Sequence, residues 1–209
     1  MDFSVRTNEV NDERGRLKAF ATLTIGNNFK ISGIAVLHKR DSDEYYIRMP
    51  VYKTNKIDEN GKSIYKPICQ PLTGEFYKEL HDAVIQAMNS PNHQVTISQG
   101  SQVTDPEYSI GVGLFNDGKG LVGLGSISFD KQFIVNTIRL YDKNNRFRLN
   151  MPCKKAAATD ESGKDVFYDI CHPVTKEFRQ ELTDVFRLNY MALKEQKDQM
   201  QMPSQGKAR

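Results

Sequence analysis

From Arg16 to Ile25 the chain alternates cleanly between apolar and polar positions. Leu17, Ala19, Ala21, Leu23 and Ile25 fall on one side, and Arg16, Lys18, Phe20, Thr22 and Thr24 on the other. A period of two means a strand with one packed face and one freer face. Residues 3–10 are half alternating and fit an edge strand, followed by a turn cluster at 11–15. Gly26-Asn27-Asn28 reads as a tight hairpin turn into a third strand from Phe29 to Leu37. A charged turn, 38–44, leads to a fourth strand at 45–49, which Pro50 stops. A polar loop centred on Gly61 follows, extended at Ile64-Tyr65. Then the period changes. Thr73 is an N-cap, Glu75 suits the helix dipole, and Phe76, Leu80, Ala83, Val84, Ala87 and Met88 form a helical stripe that packs on the sheet. Asn89-Ser90-Pro91 ends it.

The pattern then starts again. Residues 91–106 are a polar linker with one short strand at 94–97. Strands are expected at 108–115, 121–129, 132–141 and 146–151, and a second helix begins at Thr175 with the stripe Phe178, Leu182, Val185, Phe186, Tyr190 and Leu193. Met49–Asp82 aligns with Met151–Asp184 at a constant offset of 102, without a gap, and 16 of the 34 positions are identical. Chance agreement is roughly one in fifteen to twenty. The chain is a tandem duplication of units too long for a solenoid and long enough for a modest core each. The expected class is α+β: two repeats, each an antiparallel sheet of about four strands plus a C-terminal helix. The boundaries are 1–90 for repeat 1, 91–106 for the linker, 107–195 for repeat 2 and 196–209 for a polar tail that prolongs the helix and frays.

Composition adds limits. The 209 residues are 26% charged and 38% hydrophobic, ordinary for a soluble chain. No apolar run could span a membrane, and the start Met1-Asp2-Phe3-Ser4 has no signal pattern, so a cytoplasmic protein is expected. The net charge of +3 is too weak to identify a nucleic-acid partner without knowing where the charges sit. Cys69 and Cys171 are equivalent and read as small apolar fillers, and no zinc or disulfide framework is indicated. His172 is matched by Gln70, which argues against a shared His-Cys chemistry. Asp82 and Asp184 repeat without a second repeated carboxylate and read as local caps or pairs. No cofactor or metal site and no nucleophilic triad survives comparison of the copies, so the chain is not expected to be an enzyme.

The copies differ on one face. With Phe29 aligned to Phe133, Arg16, Lys18 and Phe20 become Gly120, Val122 and Leu124. An apolar outer face must normally be covered, and copy one is the expected cover. Gly123 and Gly125 permit a close backbone approach.

These features resemble the stage V sporulation protein G (SpoVG) family over nearly all of each copy. The resemblance is carried by Val5-Arg6 and Gly15-Arg16-Leu17-Lys18-Ala19-Phe20-Ala21-Thr22-Leu23-Thr24, and most specifically by Met49-Pro50 and Met151-Pro152, the Gly-containing loop, Gln70-Pro71 and His172-Pro173, and the helix with Asp82 and Asp184. The resemblance implies small α+β homodimers that regulate by binding DNA and RNA, linked to sporulation and septum formation, without catalysis. In a tandem chain it implies that the two copies pair as an intrachain pseudo-dimer through one patch from each, largely free of concentration dependence. Further self-association stays open.

The resemblance also implies where nucleic acid would be met: basic residues after Met-Pro and near the helix start. The family pattern Met-Pro-Ser-Lys-Arg-Thr is Met49-Pro50-Val51-Tyr52-Lys53-Thr54 in copy one and Met151-Pro152-Cys153-Lys154-Lys155-Ala156 in copy two. The helix Arg is kept as Arg179 and the following Lys is replaced by Glu181; copy one has Tyr77 and Glu79 there. Phosphate affinity needs several cations on one face. The candidates are Lys154, Lys155, Lys176 and Arg179 in copy two, and Arg16, Lys18 and Lys53 in copy one, with Tyr45, Tyr46 and Phe147 as stacking aromatics. Acidic residues at 41–44 and at Asp58-Glu59 oppose them. The competing reading is a protein-interaction or structural module that kept the dimer fold and lost phosphate affinity.

Overall fold

The computed structural model describes residues 1–10, 15–40, 42–144 and 146–201; most of the expected turn cluster at 11–15, position 41 of the acidic turn and positions 202–209 of the tail lie outside these. Copy one contributes β1 (Phe3–Glu9), β2 (Leu17–Ile25), β3 (Phe29–His38) and β4 (Tyr45–Arg48), then β5 (Val51–Ile57), β6 (Ser63–Pro67), β7 (Cys69–Pro71) and α1 (Gly74–Asn89), with β8 (Gln94–Ile97) after the helix. Copy two contributes β9 (Tyr108–Leu114), β10 (Leu121–Phe129), β11 (Phe133–Lys143), β12 (Arg146–Asn150), β13 (Cys153–Thr159), β14 (Asp165–Asp169), β15 (Cys171–Pro173) and α2 (Lys176–Gln201).

The alternation works as the hydrophobic pattern requires. Ala19, Ala21, Leu23 and Ile25 of β2 are fully buried, as are Ile127 and nearly so Phe129 of β10. Each helix is capped by the threonine of its repeat: the Phe76 N–H donates to Thr73 Oγ1 and the Phe178 N–H to Thr175 Oγ1, both at 3.1 Å. Phe76, Leu80, Ala83, Val84 and Ala87 bury one side of α1; Phe178, Leu182, Phe186 and Tyr190 do so on α2. Helix α2 continues to Gln201, two turns beyond Leu193.

The X-Pro segments make the pseudo-dimer. Strand β7 of copy one pairs with β11 of copy two, Phe133 opposite Pro71 and Val135 opposite Cys69. Strand β15 of copy two pairs with β3 of copy one, Phe29 opposite Pro173 and Ile31 opposite Cys171. The exchange is reciprocal to the residue. Leu72 N–H donates to Gln132 O as Val174 N–H does to Asn28 O, and Asn136 N–H donates to Ile68 O as Ser32 N–H does to Ile170 O, all at 2.7 Å. Four such bonds contribute about 2–6 kcal/mol net at about 0.5–1.5 kcal/mol each. Burying one phenylalanine contributes about 1.5–3 kcal/mol, and a whole cluster of them crosses the junction. Phe29 lies 5.0 Å from Phe129 and Phe76 lies 6.1 Å from Phe133, ring centre to ring centre. Apolar burial therefore holds the halves together, and the hydrogen bonds set their register. Cys69 and Cys171 meet within this single core; both are free, and burial, then the hydrogen bond and charge of Cys69, pushes the Cys171 thiol well above its ordinary value.

The linker is pinned. β8 pairs antiparallel with β1. Asp2 Oδ2 accepts hydrogen bonds from Ser98 Oγ, Thr104 N and Thr104 Oγ1, each at 3.0 Å, and Asp2 Oδ1 accepts from Gln99 N at 3.2 Å. The turn Gly26-Asn27-Asn28 is clasped by Asp105, whose carboxylate accepts from Asn27 N and Asn28 Nδ2 at 2.7 Å each.

Two expectations are revised. The polar loop around Gly61 is a two-stranded hairpin, and so is its counterpart in copy two. The apolar outer face of β10 is not covered by copy one: Leu124 stays 44% exposed, like Phe20 at 42%. The copies join through strand ends and inner faces, which leaves both outer faces open. The close approach at Gly125 is to α2, where a Cβ would sit 2.5 Å from the Phe186 ring.

Candidate nucleic-acid interface

Each copy projects an arm, β5–β6 in copy one and β13–β14 in copy two. The tips are built alike. Asp58 Oδ1 accepts from the N–H groups of Asn60 and Lys62, and Asp160 Oδ1 from those of Ser162 and Lys164. Gly61 and Gly163 supply the left-handed backbone the turn needs, at φ of 74° and 77°. The hydrogen bonds from Lys164 and then Ser162 hold the Asp160 carboxyl below its usual value.

Along the arms, lysines face aromatic rings across the strands. In copy one Lys53 lies opposite Tyr65 and Tyr52 opposite Lys66. In copy two Lys155 lies opposite Phe167 and Lys154 opposite Tyr168. Tyr52 corresponds to Lys154 and Lys66 to Tyr168, so the second pair has exchanged its strands between the copies while keeping its members. Adjacent cross-strand pairs point to opposite faces; each arm therefore presents one lysine and one ring on each side. The rings are open to solvent: Tyr65 is 58% exposed, Phe167 57% and Tyr168 62%. An isolated two-stranded ribbon gains little from packing, so exposed rings there are unexplained by the fold.

Arm charges differ. Between Val51 and Pro67 there are four lysines and two acids; between Cys153 and Asp169, three lysines and four acids. Lys155 is also paired with Asp165 at 2.8 Å.

The outer face of the copy-one sheet adds a second basic surface. The strand register puts Arg6 opposite Thr22, Asn8 opposite Phe20, Lys30 opposite Thr24, and Arg48 opposite Ala35. Arg6, Lys18, Lys30 and Arg48 thus share this face. The exchanged β15 extends it, because His172 lies opposite Lys30. Burial first, then Lys30 and Arg179, push the His172 pKa down against the pull of Asp169. Arg179 of copy two thereby stands at the edge of the copy-one sheet, with Lys176 at the start of the same helix. On the copy-two sheet the matching positions are Gly111, Val122, Ile134 and Asn150.

Not every expected candidate belongs to these surfaces. Arg16 donates through Nε to His38 O and through Nη2 to Tyr46 Oη, both at 3.1 Å, and lies over the Tyr46 ring. Phe147 stacks on Tyr190, and Tyr45 packs edge-on against His38. These aromatics are occupied within the chain. Asp82 contacts His81 and Asp184 accepts from Gln180, local pairs as expected. Glu181 accepts from Tyr108 Oη at 2.6 Å; burial, followed by that bond, pushes the Tyr108 pKa up to about 12. Lys66, Tyr65, Phe167 and Tyr168 lie on the second strand of each arm, away from the Met-Pro segments, and the signal for them is the hairpin that each glycine turn closes. Among the described residues there is no cluster of metal-ligating side chains, and no helix is long and apolar enough to cross a membrane.

Similarity to known proteins was found at family level, and no solved structure matches. A SpoVG protein of Aster yellows witches'-broom phytoplasma, named for septation, is 34% identical over 73 residues, 35% of this chain and 68% of that protein. A namesake in Macrococcus caseolyticus is 34% identical over 61 residues, 29% of this chain and 48% of its own length. One in Listeria monocytogenes is 31% identical over 67 residues, 32% of this chain and 60% of its own. Each match spans less than one copy. The SpoVG family model matches twice, at residues 2–90 and 107–192, leaving unmatched the linker that Asp2 and Asp105 tie down. The chain belongs to the SpoVG family and carries the family domain in tandem.

Proposed function

We propose that the chain is a non-catalytic regulator that binds single-stranded DNA or RNA, in the septation-linked setting for which its relatives are named. The observation that carries this reading is the retained lysine–aromatic pair on both faces of both arms, kept through an exchange of strands. Lysine supplies phosphate attraction and exposed rings supply a sequence-tolerant stacking surface for unpaired bases. The copy-one face, with Arg6, Lys18, Lys30 and Arg48, gives the strand a basic track.

The test is a fluorescence titration of labelled single-stranded DNA, RNA and duplex across a salt series. Single strands are expected to bind most tightly, with affinity falling steeply as salt rises. Lys53→Ala with Lys66→Ala should lower the slope of log affinity against log salt by about 1.4, at about 0.7 per phosphate contact on a single strand. Absence of binding at low salt rejects the proposal. The acid excess of β13–β14 favours a second reading for that arm alone, contact with a protein partner; Lys154→Ala with Lys155→Ala would then leave nucleic-acid affinity unchanged.

A further inference from the structure

The two sheets end differently. In copy one the odd residues of β1 face β8: Phe3 lies opposite Ile97, Val5 opposite Val95, and the Thr7 N–H donates to His93 O at 2.9 Å. In copy two the equivalent strand is β9, and the terminal helix runs on where copy one turns back into β8. Among the described residues no strand pairs along the outer edge of β9. The direction of its hydrogen-bonding groups is settled by the ends of its ladder with β10. Phe115 N–H donates to Val122 O at 3.0 Å and Asp130 N–H to Glu107 O at 2.9 Å. Odd positions therefore bond to β10, and Tyr108, Ile110, Val112 and Leu114 turn their N–H and C=O groups outward.

Such an edge invites another strand unless short length, charge, proline or a bulge protects it. The other ends are protected. β8 and β4 have four residues each, and β12 carries Arg146 and Arg148. β9 has seven residues, no charge and no proline, and its ladder with β10 runs without a bulge. Gly111 and Gly113 leave the outer side flat, which suits close approach of a second backbone.

The geometry points to β9 as a self-association edge whose occupant is β9 of a second copy of this chain, paired antiparallel about a two-fold axis at Gly111. That register sets Tyr108 opposite Leu114 and Ile110 opposite Val112, so every outward group meets another. Within Tyr108–Leu114 it opposes no charges, and Glu107 falls opposite Phe115. An uncharged edge offers a charged peptide nothing to neutralise, whereas it is complementary to itself. The inference is independent of nucleic-acid binding.

Sedimentation equilibrium of the full chain without nucleic acid, over a concentration series, tests it. The mass is expected to rise from 23.8 kDa to twice that value. Val112→Pro removes an outward donor and leaves the β10 ladder intact; it should raise the dimer dissociation constant at least tenfold with unchanged circular dichroism. Gly113→Lys, where an added Cβ meets only Leu124 O at 3.8 Å, should do the same by placing charge on the edge. Wild-type protein that stays at 23.8 kDa throughout, or dimers that both variants leave intact, overturns the inference. So does hydrogen-exchange protection of the Ile110 and Val112 amides in dilute monomer, which would mean that the chain covers the edge itself.

Discussion

The two copies solve one packing problem with different volumes. In copy one the inner face of the central strand offers Ala19 and Ala21 to a sheet and helix that present Val36 and Val84. In copy two the same positions are Gly123 and Gly125, facing Leu140 and Phe186. Where the strand lost a methyl group the partner grew, so the core closes in both. The outer faces show no such compensation: Arg6, Lys18 and Lys30 stand against Gly111, Val122 and Ile134. Close packing couples interior substitutions, while an exposed face answers only to what touches it. The arms lie between these cases. They are exposed, yet their lysine–aromatic pairs are compensated as if they were packed.

The largest effect is expected where the comparison is weakest, at the shared core. Phe76→Ala removes a ring that meets Phe3 at 5.4 Å and Phe133 of the other copy at 6.1 Å, and should cost about 3–5 kcal/mol. Urea unfolding followed by circular dichroism should remain one transition; separate transitions for the halves would show two cores. Gly125→Ala should cost about 1–3 kcal/mol through the clash with Phe186, and Ala21→Gly about 0.5–1 kcal/mol. Adding Phe186→Val to Gly125→Ala should recover most of the loss; a purely additive double variant would mean the volumes are not traded. Tyr65→Ala and Phe167→Ala should each cost about 1–3 kcal/mol of single-strand affinity if each ring stacks a base. An effect confined to Tyr65 would assign stacking to copy one alone.

The smallest effect is an acid one, on the linker. Hydrogen bonds from Thr104 and Gln99 hold the Asp2 carboxyl at about 2, below its ordinary 3.8. A carboxyl with a depressed folded-state pKa stabilises fully above its ordinary value and loses that contribution as pH falls toward the folded one. Hydrogen-exchange protection of the Gln99 and Thr104 amides should therefore fall between about pH 4 and pH 2. Asp2→Asn should flatten that dependence, and an unchanged profile would rule out the carboxylate as the tie.

Much of this was legible in the pattern of residues. The alternation around Ala19 to Ile25, the Thr73 and Thr175 caps and the helical stripes follow from local spacing, and the duplication follows from identity at a fixed offset. The SpoVG family followed from motifs such as Met-Pro and X-Pro. The strand exchange was legible only as pairing of like patches: three residues such as Cys69-Gln70-Pro71 are too few to announce a strand, and their partner lies in the other copy. The arms resemble polar loops in the sequence because both of their faces are wet, which erases the apolar alternation that marks a half-buried strand. Val122 and Leu124 give β10 an apolar outer face that calls for a cover, yet Val122 is partly buried by its own copy and a lone exposed Leu124 among serines and glycines is tolerable in water. Half of the arm surface is hidden in the sequence by the absence of that alternation: Lys66 and Tyr168 acquire meaning only opposite Tyr52 and Lys154.

The reciprocal exchange of β7 and β15 within one polypeptide has a genetic consequence. In a homodimer every substitution appears twice, on both sides of the axis, so a change that helps one face must be tolerated by the other. Here each position is written once. One half can acquire a basic track while the other bares a glycine-lined edge, and neither change forces its mirror image.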